Sequence, residues 1–462
     1  MVALSMTGCI LVACLLCLLA SHPTHGELKR VVVLSRHGNR VANEPILDIC
    51  PNYASTRNRF KGAAGELTPV GLCEMYQVGK WTRERYMVNT TFLPDHYVDD
   101  GTFFLQSESA DRNLMSATAF GQGLFPDGTG PPGYLPDRPQ IIPIQTTTPG
   151  HDNLFNSVGD GMCGTRFGAD IAHTAASIEN HLQAEPAFES VLNEVGQACG
   201  YDLVANSRAG EGTKLLPDLV KTLDDAFLFA EDEGYPADLD GRLEQSVLEK
   251  YHTIAFDYLM GWFFETPAQI SYISGQFPGK LLAALQTEDD SKKFMYFLAH
   301  RELLYAVLKF FDYPIALTGV RKGYLPTAST IVWELHKDEG DTEPHIKTFI
   351  WWPTQERGEK ERSTGKDNPL LMQTGHDVEA TPNACKDMTK CHLSTILEVF
   401  KSRLAKTGSY KELCAPHAAV NELVEKPSPI DLWLQPREVS HKLFIDEDYA
   451  LHKQAAEQII YN

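Results

Sequence analysis

The chain has 462 residues, 43% of them hydrophobic, and a formal net charge of −20 with no long basic block. That balance argues against nucleic acid and anionic membrane as partners, since both attract concentrated positive charge. The length exceeds what one compact core usually holds, which points to one large domain with a substantial insertion, or to two domains.

Residues 1–26 contain an apolar run from Ile10 to Ala20 and no acidic residue. The run is too short for a bilayer and suits a cleaved secretory signal peptide, although no lysine or arginine precedes it. A retained anchor is the alternative. No later stretch reaches about 18 uncharged apolar residues, so no membrane span is expected after signal removal. The mature protein is therefore read as secreted or delivered to a lysosome-like acidic compartment. An oxidising route makes disulfides the default for Cys50, Cys73, Cys163, Cys199, Cys385, Cys391 and Cys414, whose spacing lacks zinc-site pairing. Cys385 and Cys391 are near enough to close a small loop, while Cys73 falls in a predicted helix and reads as a buried thiol.

Val31-Val32-Val33-Leu34 reads as a buried strand. It stops at Ser35-Arg36-His37-Gly38-Asn39-Arg40, a polar turn of the kind that open α/β sheets present to ligands at their carboxyl ends. Two guanidiniums flanking one imidazole suit a tetrahedral oxyanion, because arginine stays charged and offers a planar fork matched to phosphate oxygens. Histidine is a competent nucleophile at mildly acidic pH, and Gly38 removes a side chain that would crowd an approaching phosphorus.

This turn resembles the Arg-His-Gly-x-Arg loop of the histidine acid phosphatases, branch 2 of the histidine phosphatase superfamily. The resemblance implies an α/β fold, with a mostly parallel central sheet flanked by helices and a smaller helical cap inserted. It makes His37 the nucleophile and gives Arg36 and Arg40 to the phosphate. Asn39 stands where the family commonly has aspartate, and Ala42 where it often has proline. The chemistry needs neither. The family's long-range bridge would pair Cys163 with Cys414.

Val41 to Gly65 is polar and irregular and reads as a surface excursion near the site. Thr68 and Pro69 then open a helix, with Gly71 and Gly79 allowing close contact with the sheet. Asn89-Thr90-Thr91 is the one glycosylation sequon, just beyond that helix. Thr102 to Ser107 reads as a second strand, and Arg112 matches the arginine that would be the family's third guanidinium on the phosphate. Ile141 to Gln145 is expected to be a third strand. From 151 to 277 long helical patterns dominate, including the acidic stretch Leu219 to Glu233, and read as the cap over the carboxyl face of the sheet. Trp262, Phe263 and Phe264 in that stretch suit a core better than a ligand.

Phe294 to Ala299 resumes the sheet and ends at His300-Arg301-Glu302. The family has a histidine here, most often followed by the aspartate that protonates the leaving group, and this chain has Arg301 instead. Glu302 offers a repair, since His-x-Glu resembles the branch containing multiple inositol polyphosphate phosphatases. Burial is expected to raise its pKa and nearby arginines to oppose that. Another carboxyl such as Asp111 is the alternative donor, and a weakened protein the third reading. His300 is assigned to catalysis and phosphate binding. Strands are expected over 324–335 and 345–352. Pro369-Leu370-Leu371-Met372 and the helix from His392 to Leu404 resemble the family's carboxyl portion.

The organisation read from the sequence is thus a signal peptide at 1–26, an α/β core at 27–150 and 278–462 with a carboxyl-terminal tail, and a helical cap at 151–277. The function expected is an acid phosphatase acting on small-molecule phosphate monoesters through phosphohistidine, with no metal or cofactor and with a homodimer left open. An inositol polyphosphate phosphatase or phytase-like enzyme is the alternative, and a catalytically weakened anion-binding member of the fold the second alternative.

Overall fold

The computed structural model describes residues 27–415, apart from 44, 134, 169, 171–185, 209–215, 288, 290, 316, 318–322 and 354–374. The proposed signal peptide, Pro369–Met372 and the tail beyond 415 lie outside the described residues.

In chain order the main elements are β1 (Glu27–Arg36), α1 (Pro69–Arg83), β2 (Phe103–Ser107), α2 (Asp111–Leu124) and β3 (Gln145–Thr146). There follow α3 (Pro186–Cys199), α4 (Leu216–Glu233), α5 (Gln245–Phe263), α6 (Pro267–Ser274), α7 (Phe277–Gln286), β4 (Phe294–Ala299) and α8 (Arg301–Phe310). The chain closes with β5 (Thr330–Lys337), β6 (His345–Pro353), β7 (Gly375–Glu379), β8 (Cys391–His392) and α9 (Leu393–Thr407). The sheet runs β3-β2-β4-β1-β5-β6-β7, with β8 on β6. Strands β1 to β4 form a parallel block, and β6 shares their direction, while β5, β7 and β8 oppose it. The expected third strand at Ile141 to Gln145 is a correction: only Gln145–Thr146 pairs, and Ile141 is 70% exposed. Ile142 and Ile144 pack against the core only in part, and Pro143 between them has no N–H to give a ladder.

Both faces of the parallel block are covered. Val31 and Val33 face α1 and α2 with Tyr296 and Phe120, whereas Val32 and Leu34 face a larger core with Phe297, Phe277 and Leu304. Alternation along a strand sends successive side chains to opposite faces, so a wholly apolar run is what a doubly covered strand requires. Thr68 caps α1 by accepting from the Gly71 N–H, as its position before Pro69 predicts. The expected partner of the α1 glycines is a correction. A Cβ on Gly71 would strike the Asn39 backbone and one on Gly79 the Phe120 carbonyl, so these glycines fit α1 to the turn after β1 and to α2.

The segment after the turn is also more than a surface excursion. Val41, Ile46, Ile49, Tyr53 and Phe60 are buried in one core with Leu223, Phe227, Leu248 and Tyr251 of α4 and α5. Cys50–Cys199 ties that segment to α3, and Cys163–Cys414 and Cys385–Cys391 complete the described disulfides, leaving Cys73 as a buried thiol. Trp262, Phe263 and Phe264 lie in the main core. Among the described residues no helix is long and apolar enough to cross a membrane.

Candidate active site

Register brings three strand ends level. Ser35 and Ser107 both pair with Leu298, and the ladder continues past the strands as His37 N–H donates to Ala299 O and Glu108 N–H to Leu298 O. The turns after β1, β2 and β4 therefore open at one place, at the carboxyl ends of parallel strands, where α/β folds bind ligands. Onto this place fall Arg36 and His37 from β1, Arg112 from α2 and His300 at the cap of α8.

The turn itself is held rigidly. Gly38 approaches Gly71 so closely that a Cβ would fall 2.2 Å from the Gly71 carbonyl oxygen, and its N–H donates to Ser116 Oγ at 3.2 Å. Close packing against α1, rather than room for phosphorus, is thus why glycine is needed here. Arg36 Nη1 donates to Leu325 O at 2.7 Å, and Arg40 Nη1 to Asn43 Oδ1 at 2.7 Å, with its guanidinium 4.6 Å above the Phe229 ring. The variable position has a role of its own: Asn39 Nδ2 donates to Phe229 O and Glu233 Oε1 of α4, fastening the helical insertion to the turn.

His37 is buried, and its Nδ1 lies 2.8 Å from Gly38 O. A neutral ring donating through Nδ1 keeps the Nε2 lone pair for attack. Burial, then the charges of Arg112, His300, Arg36 and Arg40, hold its pKa well below the usual imidazole value, so the ring is uncharged in acid. The His300 ring stands edge-on at 5.4 Å. Its Nε2 is 3.4 Å from Glu108 Oε2 and 3.3 Å from Asn113 Nδ2, and burial and Arg112 lower its pKa despite Glu108. Burial pushes Glu108 up, but His300 and the Ala110 N–H bring it down to about 2. Arg40, lowered to about 9 by burial and by Arg112, remains cationic at any physiological pH.

Glu302 departs from expectation. Burial does push its carboxyl up, but Lys221, Arg301 and His300 outweigh burial and hold it well below the usual carboxylate range. Lys221 Nζ lies 3.5 Å and Arg301 Nη2 3.4 Å from Glu302 Oε1. The free site thus presents an ionised carboxylate, which corrects the picture of a carboxyl kept protonated by burial. Asp111, the alternative donor, is exposed at the start of α2.

Sequence reasoning missed Glu108, Lys221 and Asp225. Glu108 follows a strand end directly, which was a readable sign. The i,i+4 spacing of Lys221 and Asp225 was legible too, but not that this face of α4 turns toward β4.

Residues 27–189 match the model of the histidine phosphatase superfamily (branch 2). That is 163 of the 462 residues, and over that stretch the chain is similar to the superfamily. The match takes in Arg36, His37, Arg40 and Arg112 and ends before His300. Prostatic acid phosphatase of Mus musculus is 32% identical over 180 residues, which cover 38% of this chain and 43% of that protein. Prostatic acid phosphatase of Homo sapiens is 33% identical over 133 residues, covering 28% and 31%. The matches span less than half the length of these curated relatives. In fold, the chain is similar to the Klebsiella sp ASR1 phytase, with a TM-score of 0.63, 17% identity, and coverage of 86% of this chain and 98% of that one.

Proposed function

We propose that the protein is an acid phosphatase that hydrolyses phosphate monoesters through a phosphohistidine at His37. The observation that carries this reading is the buried imidazole, uncharged and anchored through Nδ1, with Arg112, His300, Arg36 and Arg40 as the charged groups that surround it.

In the first step His37 Nε2 attacks phosphorus in line, the P–N bond forms and the ester P–O bond breaks. Arg36, Arg40, Arg112 and His300 hold the equatorial oxygens. In the second, water attacks the phosphohistidine, the P–N bond breaks, and Glu302 accepts the water's proton as inorganic phosphate forms. Because Glu302 is ionised in the free site, the proton for the leaving oxygen arrives with the substrate. A phosphate monoester has a second pKa of about 6, so its monoanion brings that proton in acid and Glu302 relays it. Activity should then fall as pH rises through the second pKa of the ester, and esters with a lower second pKa should lose activity at lower pH.

Residues 1–26 and the disulfides support a secreted or lysosome-like location, where Asn89 is open to glycosylation. His300-x-Glu302 is the feature that supports an inositol polyphosphate as substrate, while Asp225, Glu302 and Glu108 place carboxylates beside the cations and favour a simple monoester. The test is hydrolysis of p-nitrophenyl phosphate at about pH 5 by wild type and His37→Ala. Wild-type turnover far above the variant is expected. Equal rates would leave only the anion-binding reading.

A further inference from the structure

Helix α4 crosses the carboxyl end of the sheet and sends two buried side chains, one turn apart, against the turn after β4. Lys221 Nζ lies 3.4 Å from Asp225 Oδ2 and 3.5 Å from Glu302 Oε1. Arg301 Nη1 lies 2.8 Å from Asp225 Oδ1, and Arg301 Nη2 3.4 Å from Glu302 Oε1. The four groups close a ring of alternating charge, and Arg301 sits in it at the place where the resemblance would put aspartate.

We propose that Lys221 and Asp225 are positioning residues of the reaction: Lys221 fixes the Glu302 carboxylate, and Asp225 ties Arg301 back from the transferred phosphoryl group. This rests on the assignment of Glu302 under the proposed function and deepens it. A buried ion pair is costly unless its geometry is well met, and a ring of two cations and two anions satisfies each member from two sides. The ring carries no net charge, so it adds nothing to phosphate attraction. Released from Asp225, the Arg301 guanidinium would become a fourth fork beside the phosphate and would hold the product. Released from Lys221, the Glu302 carboxylate would lose one of its two cationic contacts.

The groups facing Glu302 are Lys221 and Asp225 of α4, His300 and Arg301 of its own turn, Arg40 of the β1 turn and Tyr305 of α8. Lys221 is the strongest electrostatic influence among them. Its removal therefore raises the proton affinity of Glu302, and the base of the second step is lost at higher pH.

The experiment measures kcat, KM and inhibition by inorganic phosphate from about pH 3 to 7 for the full chain as wild type, Lys221→Met, Lys221→Arg, Asp225→Asn and Glu302→Gln, with thermal melts to confirm folding. Wild type should show no acid limb of kcat from Glu302 over this range, whereas Lys221→Met should bring one into it, falling about tenfold per pH unit below the raised pKa, with little change in KM, and Lys221→Arg should remove it again. Asp225→Asn should tighten phosphate inhibition about tenfold. Should Lys221→Met not fold, the Asp225→Asn inhibition constant carries the test. If Glu302→Gln loses turnover while folded Lys221→Met and Asp225→Asn match wild type in both readouts, this inference is overturned and the proposed function stands. If wild type does not exceed His37→Ala, or Glu302→Gln leaves the profile intact, the underlying assignment is itself wrong.

Discussion

Two buried charge clusters lie on the same sheet and are built in opposite ways. On β5, Glu334 pairs in register with Val31, five residues before Arg36 and so about 16 Å along β1 from the nucleophile turn. Its Oε1 accepts from Arg85 Nε and Tyr86 Oη, both at 2.7 Å, and its Oε2 lies 2.8 Å from His336 Nε2. Here one anion is wrapped by its donors. Around His37 the balance is inverted, with several cations turned on one imidazole whose own proton they repel. Charge that serves stability is wrapped by opposite charge, whereas the proposed chemistry gathers like charge around one neutral ring.

The sharpest way to break that contrast is to remove one of the cations that act on His37. Arg112→Ala should lower kcat/KM by about 10² to 10³, the usual loss for one oxyanion donor, with the melting temperature unchanged or raised. A steady-state assay beside a thermal melt checks it.

The same operation on the wrapped cluster should do the reverse. Glu334→Gln removes the carboxylate shared by Arg85 and His336, with Asp377 at 3.9 Å still beside Arg85, and should cost about 3 kcal/mol of stability, read by denaturant unfolding, at unchanged kcat. Burial opposes ionisation of Glu334, but His336 and Arg85 hold its pKa at about 2 against an ordinary 4.5. Its contribution is therefore present above about pH 4.5 and lost as pH falls toward 2, and the variant should lack that acid-dependent loss.

The smallest effect belongs to a third pair, inside the helical insertion. His252 Nδ1 lies 2.6 Å from Asp224 Oδ1, and although burial lowers the His252 pKa, Asp224 and Glu231 raise it to about 9 from 6.5. That contribution is complete below about pH 6.5 and disappears as pH rises through 9, so His252→Gln should flatten the alkaline side of the stability curve by about 1 to 2 kcal/mol.

Much of this was legible in the sequence, and for a physical reason. A strand covered on both faces is a continuous apolar run, and a turn that binds phosphate concentrates arginine and histidine within a few residues. Val31 to Arg40 therefore declared itself, as did Phe294 to His300. What escaped depends on which way a helix faces. Lys221 and Asp225 look like any i,i+4 pair on a soluble surface, and only the packing of α4 across the sheet turns them inward. The ionisation of Glu302 escaped for the same reason, because the cation that matters most to it comes from 81 residues earlier in the chain. Asn39 looked interchangeable with the more common aspartate until its amide was found holding the insertion.

The strand of chain that leaves Arg40 does not return to the sheet but is stitched at once into the interior of the helical layer, with Cys50–Cys199 as the knot. A layer sewn in this way is tied directly to Arg40, so tilting it would pull on the guanidinium that the proposed chemistry sets against the phosphate. A push on the outer helices would therefore be carried to the turn that holds Arg36, His37 and Arg40.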